Sequence, residues 1–375
     1  PAMAVQEEAL HILFFPFLAS GHLIPTADMA ALFAGRGVRC TILTTPVNAA
    51  IIRSAVDRAN DAFTGTGFVP RRAAAPGVLR PVPGRPPHRR GRVRQLLPLR
   101  SFGEVFNSFH DLEPDYVEHF QKTLGRRVWL VGPVALASKD MAVRGTDAPS
   151  PDADSCIRWL DAKPAGSVVY VSFGTLTKFA PAELHQLARA LDLSGMNFVW
   201  VIGAAGGQDS TEWMPEGFAE LIARGDRGFM VRGWAPQMLI LSHAALGGFV
   251  THCGWNSVLE AVSAGVPMVT WPRYADQFHN EKLVVELLKV GVSIGAKDYA
   301  SGMEAHEVIT GEVIAESIQR LMESDAIQKK AKDLGEKARR AVEKGGSSYD
   351  DVGRLMDVLT ARRSSVKVGE DNQAS

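Results

Sequence analysis

Between residues 155 and 300, short apolar runs rich in Val, Phe and Trp alternate with helix-patterned segments, and that alternation admits few folds. Strands are expected at 167–174, 197–203, 228–233, 247–251, 267–271 and 290–294, with helices between them, as at 181–193 and 276–288. A parallel sheet covered by helices on both faces buries such runs, so the fold class is α/β. Ligands of open parallel sheets gather at the carboxyl ends of the strands. Farther on, 312–343 reads as helical with Glu-to-Lys/Arg spacing, and 349–359 as a further helix. The polar stretch 362–375 is expected to be a disordered tail.

One segment inside this region carries chemistry, WAPQMLILSHAALGGFVTHCGWNSVLEAVSAGVPMVTWPRYADQ, from Trp234 to Gln277. Its middle reads strand (GGFVT), tight turn (HCGWNS, His252 to Ser257) and helix, with Asn256 or Ser257 able to cap that helix. A turn of this kind aims unpaired backbone N–H groups and a positive helix end at one point, which suits a phosphate. Glu260, one turn into the helix, can accept hydrogen bonds from a ribose. Trp234 offers a flat face for a base, and Asp276 with Gln277 offers paired polar groups for sugar hydroxyls.

These 44 residues resemble the signature box of plant family-1 UDP-glycosyltransferases, with Trp opening it, HCGWNS and Glu260 at the expected offsets, and an Asp-Gln pair closing it. The resemblance implies two Rossmann-like domains in the GT-B architecture and roles position by position. Trp234 would stack on uracil, beside the backbone of Ala235 and the side chain of Gln237. His252, Asn256, Ser257 and the backbone around Gly254 would hold the diphosphate, approached by Thr175 from SerPheGlyThr (172–175). Glu260 would hold the ribose, and Trp255, Asp276 and Gln277 would face the sugar, the closing Gln being the glucose-preferring form. Near the start, GHLIP resembles the family's G-H-x-x-P segment, whose histidine, here His22, is the general base. Imidazole suits that task because it titrates near neutral pH. The implied reaction is inverting transfer of glucose from UDP-glucose, a co-substrate rather than a cofactor, to a hydroxyl of a small secondary metabolite, without a metal ion. Trp271 reads as core packing, and the D-x-D at Asp152 and Asp154 as a helix entry.

Residues 1–135 form the expected acceptor-side domain and 136–345 the donor domain, with 346–361 a helix returning to the first. The first domain opens as a βαβα unit at 11–58, with His22 in the loop after the first strand and Pro25 in the first turn of the helix. Residues 71–100 then hold nine arginines, six prolines and no acid, a tract with neither helical nor strand periodicity. Family strand–helix units expected between 59 and 103 are missing, and with them the aspartate that partners the catalytic histidine. The domain is therefore truncated internally, and flanking strands should expose apolar edges. Two functions compete at this point: a working glucosyltransferase, and a remnant that binds UDP-sugar without efficient turnover. A basic tract can also contact nucleic acid, but it lacks interleaved aromatics here. The chain has 375 residues, zero formal net charge and three cysteines without a CxxC pair. That excludes a disulfide scaffold and any overall drive toward nucleic acid. With no apolar run of spanning length, the expectation is a cytoplasmic monomer.

Overall fold

The computed structural model describes residues 10–17, 19–62, 101–137, 144, 152–202, 212–297 and 307–373, with side chains through residue 364. The Arg/Pro tract at 71–100 lies outside the described residues.

The second half is built on six parallel strands: β5 Val168–Ser172, β6 Asn197–Ile202, β7 Gly228–Arg232, β8 Leu246–Thr251, β9 Met268–Thr270 and β10 Gly291–Ser293. Their order is β10-β9-β8-β5-β6-β7. Every residue of β5 and β8, the central pair, is buried, as a strand covered on both faces requires. Alternate side chains feed two cores. Val168 and Tyr170 join Phe249 and Leu259 on one face, whereas Val169 and Val171 join Phe198, Trp200 and Leu187 on the other. From β5 the chain winds outward through β6 and β7, then returns to start β8 beside β5 and winds the other way. The carboxyl ends of β5 and β8 thus flank a topological switch point, where such sheets bind ligands.

Helices α4 Ala153–Asp161, α5 Pro181–Leu193, α6 Phe218–Arg224, α7 Gln237–Leu241, α8 Trp255–Ala264 and α9 Gln277–Lys282 connect these strands. A π-helical turn, Leu283–Leu287, continues α9. The 312–343 region is two helices, α10 Gly311–Met322 and α11 Asp325–Val342. They separate at Ser324, whose hydroxyl accepts the Ile327 N–H as an N-cap.

In the first half, β1 His11–Phe14 pairs in parallel with β2 Arg39–Ile42, and β3 Glu104–Phe106 with β4 Val128–Leu130, as two separate ribbons. Helices α1 Ser20–Ala34, α2 Pro46–Ala62 and α3 Pro114–Glu118 accompany them. Leu13 of β1 and, beyond the strand, Phe15 and Phe17 are 61%, 76% and 63% exposed.

The terminal helix α12 Ser347–Gln373 packs Val352 and Leu355 against Phe33, Trp129 and Val131 of the first half. It corrects the expected tail: residues 362–373 are helical rather than disordered.

Candidate active site

A cavity of about 940 Å³ lies at the switch point, between the two halves. It is lined by every residue singled out from the sequence: His22, Thr175, Trp234, Ala235, Gln237, His252, Gly254, Trp255, Asn256, Ser257, Glu260, Asp276 and Gln277. Residues more than 200 positions apart thus face one space.

His22 needs one correction. It sits in the first turn of α1, which begins at Ser20, and not in the preceding loop. Pro25 accordingly lies inside the helix and not in its first turn. Proline has no N–H, so the carbonyl of Gly21, four residues earlier, loses its helical partner. Asn256 Nδ2 of α8 donates to that carbonyl at 2.6 Å and joins the two halves. The exposed imidazole of His22 meets the Phe17 ring edge-on, with centroids 5.5 Å apart. Among the described residues, no carboxylate pairs with it.

The turn after β8 is built around His252. Cys253 adopts a left-handed conformation (φ 61°), and Gly254 is the N-cap of α8. Asn256 and Ser257 therefore do not cap this helix as expected. They occupy its first turn, and no side chain caps it, so its leading N–H groups face the cavity mouth. His252 is packed between two glycines; a Cβ on Gly174 or Gly254 would stand 2.9 or 2.5 Å from its ring. Burial pushes its pKa down to about 4, against a weaker upward pull from Asp276. His252 Nδ1 and Trp234 Nε1 are buried without a hydrogen-bond partner among the described residues. Unpaired buried polar atoms are costly, and at a cleft a ligand can supply the partner.

Glu260 is 4% exposed, and each of its oxygens has a protein partner. Gln237 Nε2 donates to Oε2 at 2.7 Å, and Arg144 Nη1 donates to Oε1. Arg144 also donates through Nε and Nη2 to Asp28 Oδ2 of α1, each at 2.8 Å. Burial depresses the Arg144 pKa, yet Glu260 and Asp28 together hold it above its ordinary value. Burial likewise raises Asp28 to about 6 against the pull of Arg144. A carboxyl group has more acceptor sites than these two contacts use, so Glu260 keeps capacity for a further donor. Sequence reasoning missed Arg144, and no local signal could have found it. It stands in a linker without a motif, 116 positions from either partner.

At the start of α9, Gln277 is buried, and its Oε1 accepts the N–H groups of Arg273 (2.8 Å) and Tyr274 (3.1 Å). Its amide nitrogen is the group left to address a ligand. Asp276 is exposed, and Asn280 donates to its Oδ2 at 3.0 Å. Trp255 lines the cavity but spends its indole N–H on the Asn107 carbonyl at 2.8 Å, so it offers only its ring. Thr175 and Ser20 share a hydroxyl–hydroxyl bond of 3.0 Å across the halves. Trp271 is core, 1% exposed, and Asp152 begins α4, its Oδ2 accepting the Arg232 N–H.

Comparison with known proteins accords with this geometry. Residues 100–324 match the family model described as UDP-glucoronosyl and UDP-glucosyl transferase. Scopoletin glucosyltransferase of Nicotiana tabacum is 34% identical over 473 aligned positions, covering 94% of this chain and 98% of the relative. That span exceeds the 375 residues present, so the relative carries about a hundred residues that this chain lacks. Abscisate beta-glucosyltransferase of Phaseolus angularis is 43% identical over 306 positions, covering 76% of this chain and 63% of the relative. Among solved structures, Glycyrrhiza uralensis UGT73P12 with glycyrrhetinic acid 3-O-monoglucuronide superposes with a TM-score of 0.80 at 28% identity, covering 98% of this chain and 99% of that one. Medicago truncatula UGT71G1 with UDP-glucose shares the fold at a TM-score of 0.73 and 24% identity, covering 96% and 100%. By its sequence box, its GT-B fold and these relatives, the chain belongs to the UDP-glucuronosyl and UDP-glucosyl transferase family and is a plant-type UDP-glycosyltransferase.

Proposed function

We propose that the chain transfers glucose from UDP-glucose to a hydroxyl of a small, largely apolar secondary metabolite, with inversion at the anomeric carbon. The observation that carries this reading is the single cavity that His22 shares with the first turn of α8 and with Gln277. Trp234 would stack on uracil beside Ala235 and Gln237, and Glu260 would take the ribose. His252, Ser257, Thr175 and the N–H groups after Gly254 would receive the diphosphate, and Asp276, Gln277 and the Trp255 ring the hexose. Asn256 spends one Nδ2 hydrogen on the Gly21 carbonyl and would offer the second to the diphosphate.

In this scheme His22 takes the acceptor hydroxyl's proton while the oxygen attacks C1 of the sugar. The C1–O bond to UDP breaks, and the diphosphate leaves with the electron pair. Its growing charge is met by a helix N-terminus and hydroxyls, which are already oriented and need no reorganisation. Phe17, Ile24, Met29, Val105 and Leu176 line the cavity and suit a flat or apolar acceptor such as a phenol, flavonoid, coumarin or terpenoid alcohol. We further propose a monomer acting in the cytoplasm without a metal ion; among the described residues no helix is long and apolar enough to cross a membrane.

The test is turnover of UDP-glucose with a panel of phenolic acceptors, beside calorimetry of UDP binding. His22→Ala should lower kcat by about 10²- to 10⁴-fold while UDP affinity stays unchanged. An α-configured product, or turnover indifferent to His22, would sink the proposal.

A further inference from the structure

We infer that Arg273 and Glu183, buried behind the cavity, are a positioning pair that fixes the hexose end of the donor site. The inference rests on the function proposed above, because it assigns Gln277 to the sugar. Arg273 Nη1 donates to Glu183 Oε1 at 2.6 Å, with the two side chains 3% and 4% exposed. The guanidinium carbon lies 4.5 Å from the Phe179 ring centroid and 6.0 Å from that of Trp271. The other carboxylate oxygen of Glu183 accepts the Ala180 N–H at 2.9 Å, at the start of α5. Arg273 is therefore clamped into the core by charge, by an aromatic face and by a partner that is itself fixed.

Its main chain does the second half of the work. The Arg273 N–H donates to Gln277 Oε1, as does the N–H of Tyr274. That contact sets which way the Gln277 amide nitrogen points. It also closes the loop between β9 and α9, which turns through a left-handed Ala275 (φ 56°) before Asp276. The same aromatic box reaches the phosphate side. Phe173 meets Phe179 at 4.5 Å and Trp271 at 5.5 Å, and Phe173 directly precedes Gly174 and Thr175. One anchor thus serves both the loop after β5 and the loop after β9.

Stability alone does not account for an ion pair here. Apolar side chains of similar volume commonly match or exceed a buried pair in stability, because both charges must be desolvated. What apolar packing lacks is direction. A guanidinium held by a carboxylate on one side and a ring on the other has a single orientation, and the backbone that carries it is fixed with it.

Calorimetry of UDP and of UDP-glucose on four proteins tests this: wild type, Arg273→Lys, Arg273→Met, and Arg273→Met combined with Glu183→Gln. The double variant leaves no unpaired buried charge, and its glutamine can still accept the Ala180 N–H, so it separates position from folding. Arg273→Met and the double variant should each weaken UDP-glucose by about tenfold, the equivalent of one hydrogen bond to the sugar. UDP affinity should remain within about twofold in both, and Arg273→Lys should retain most of the UDP-glucose affinity. Equal losses for UDP and UDP-glucose, or a folded double variant with wild-type UDP-glucose affinity, would overturn the inference. Wild-type protein that binds neither ligand would instead overturn the function proposed above, and this assignment with it.

Discussion

His252 shows how far a site can push one side chain from its solution chemistry. It is neutral because burial disfavours the imidazolium, which brings its pKa down to about 4 from an ordinary 6.5. As pH falls from 6.5 to 4, the unfolded chain gains a proton that the folded chain refuses. Stability is lost across that window, by about 3 kcal/mol for this group. Asp28 acts with the opposite sign. Its folded pKa of about 6 costs stability above pH 6, and that cost is relieved as pH falls toward 3.8. Substituting His252→Gln removes the first effect and leaves the second. Urea unfolding of both proteins between pH 7 and 4.5 should show the wild type falling progressively relative to the variant. A constant difference would mean that His252 titrates normally. The family resemblance assigned His252 to the diphosphate, but its neutrality was not legible in the sequence. It follows from burial of the ring in the folded protein, where Gly174, 78 positions upstream, has no room for a Cβ beside it.

Elements, as distinct from residues, were the most legible feature. The limits 181–193 for α5 were read from the sequence because Pro181 can open a helix and the apolar positions Leu184, Leu187, Ala188 and Leu191 repeat at helical spacing. The six strands of the second half agreed to within two residues at each end for the same reason, since a buried parallel strand is a short apolar run with polar ends. Helix contacts were less legible. Helix α11 crosses α8 where Gly335 meets Gly265, and a Cβ on Gly335 would stand 2.8 Å from the Gly265 Cα and 3.0 Å from the Val262 carbonyl. Alanine is the better helix former by about 1 kcal/mol, so helix propensity predicts that Gly335→Ala stabilises. The backbone contact cannot relax as a flexible side chain would, and overpacking of this kind costs about 1–3 kcal/mol. The expected result is a net loss of stability, read as a lowered midpoint in thermal or urea unfolding. A raised midpoint would mean the helices can separate freely.

Across the whole molecule, α12 ties the first half to the second. Asp351, 3% exposed, accepts the Leu130 N–H at 2.9 Å, faces His110 Nε2 at 3.4 Å and pairs with Arg354. Nearby, the Arg36 guanidinium lies 3.7 Å from the Tyr349 ring centroid and donates to the Tyr349 carbonyl. The first half has only two-stranded ribbons among its described residues, which are marginal without further packing. Asp351→Ala would leave a buried N–H unpaired, costing about 1–3 kcal/mol. Hydrogen exchange should register the loss in β1, β2 and β4 and not in β5 or β8. Uniform loss across both halves would show that they unfold as one unit.

The family resemblance supplied the candidate site residues, and the sequence by itself determined the six-stranded parallel sheet and the strand–turn–helix that leads into α8. These are encoded in spacing along the chain, and backbone geometry turns spacing into position without outside help. Only the tertiary structure decided that Arg144 bridges Asp28 and Glu260, that Asn256 satisfies the carbonyl freed by Pro25, and that Arg273 is held by Glu183. Each of these joins residues 90 or more positions apart. Such pairs form where elements distant in the chain pack together, and no local period in the chain records which polar groups will meet there.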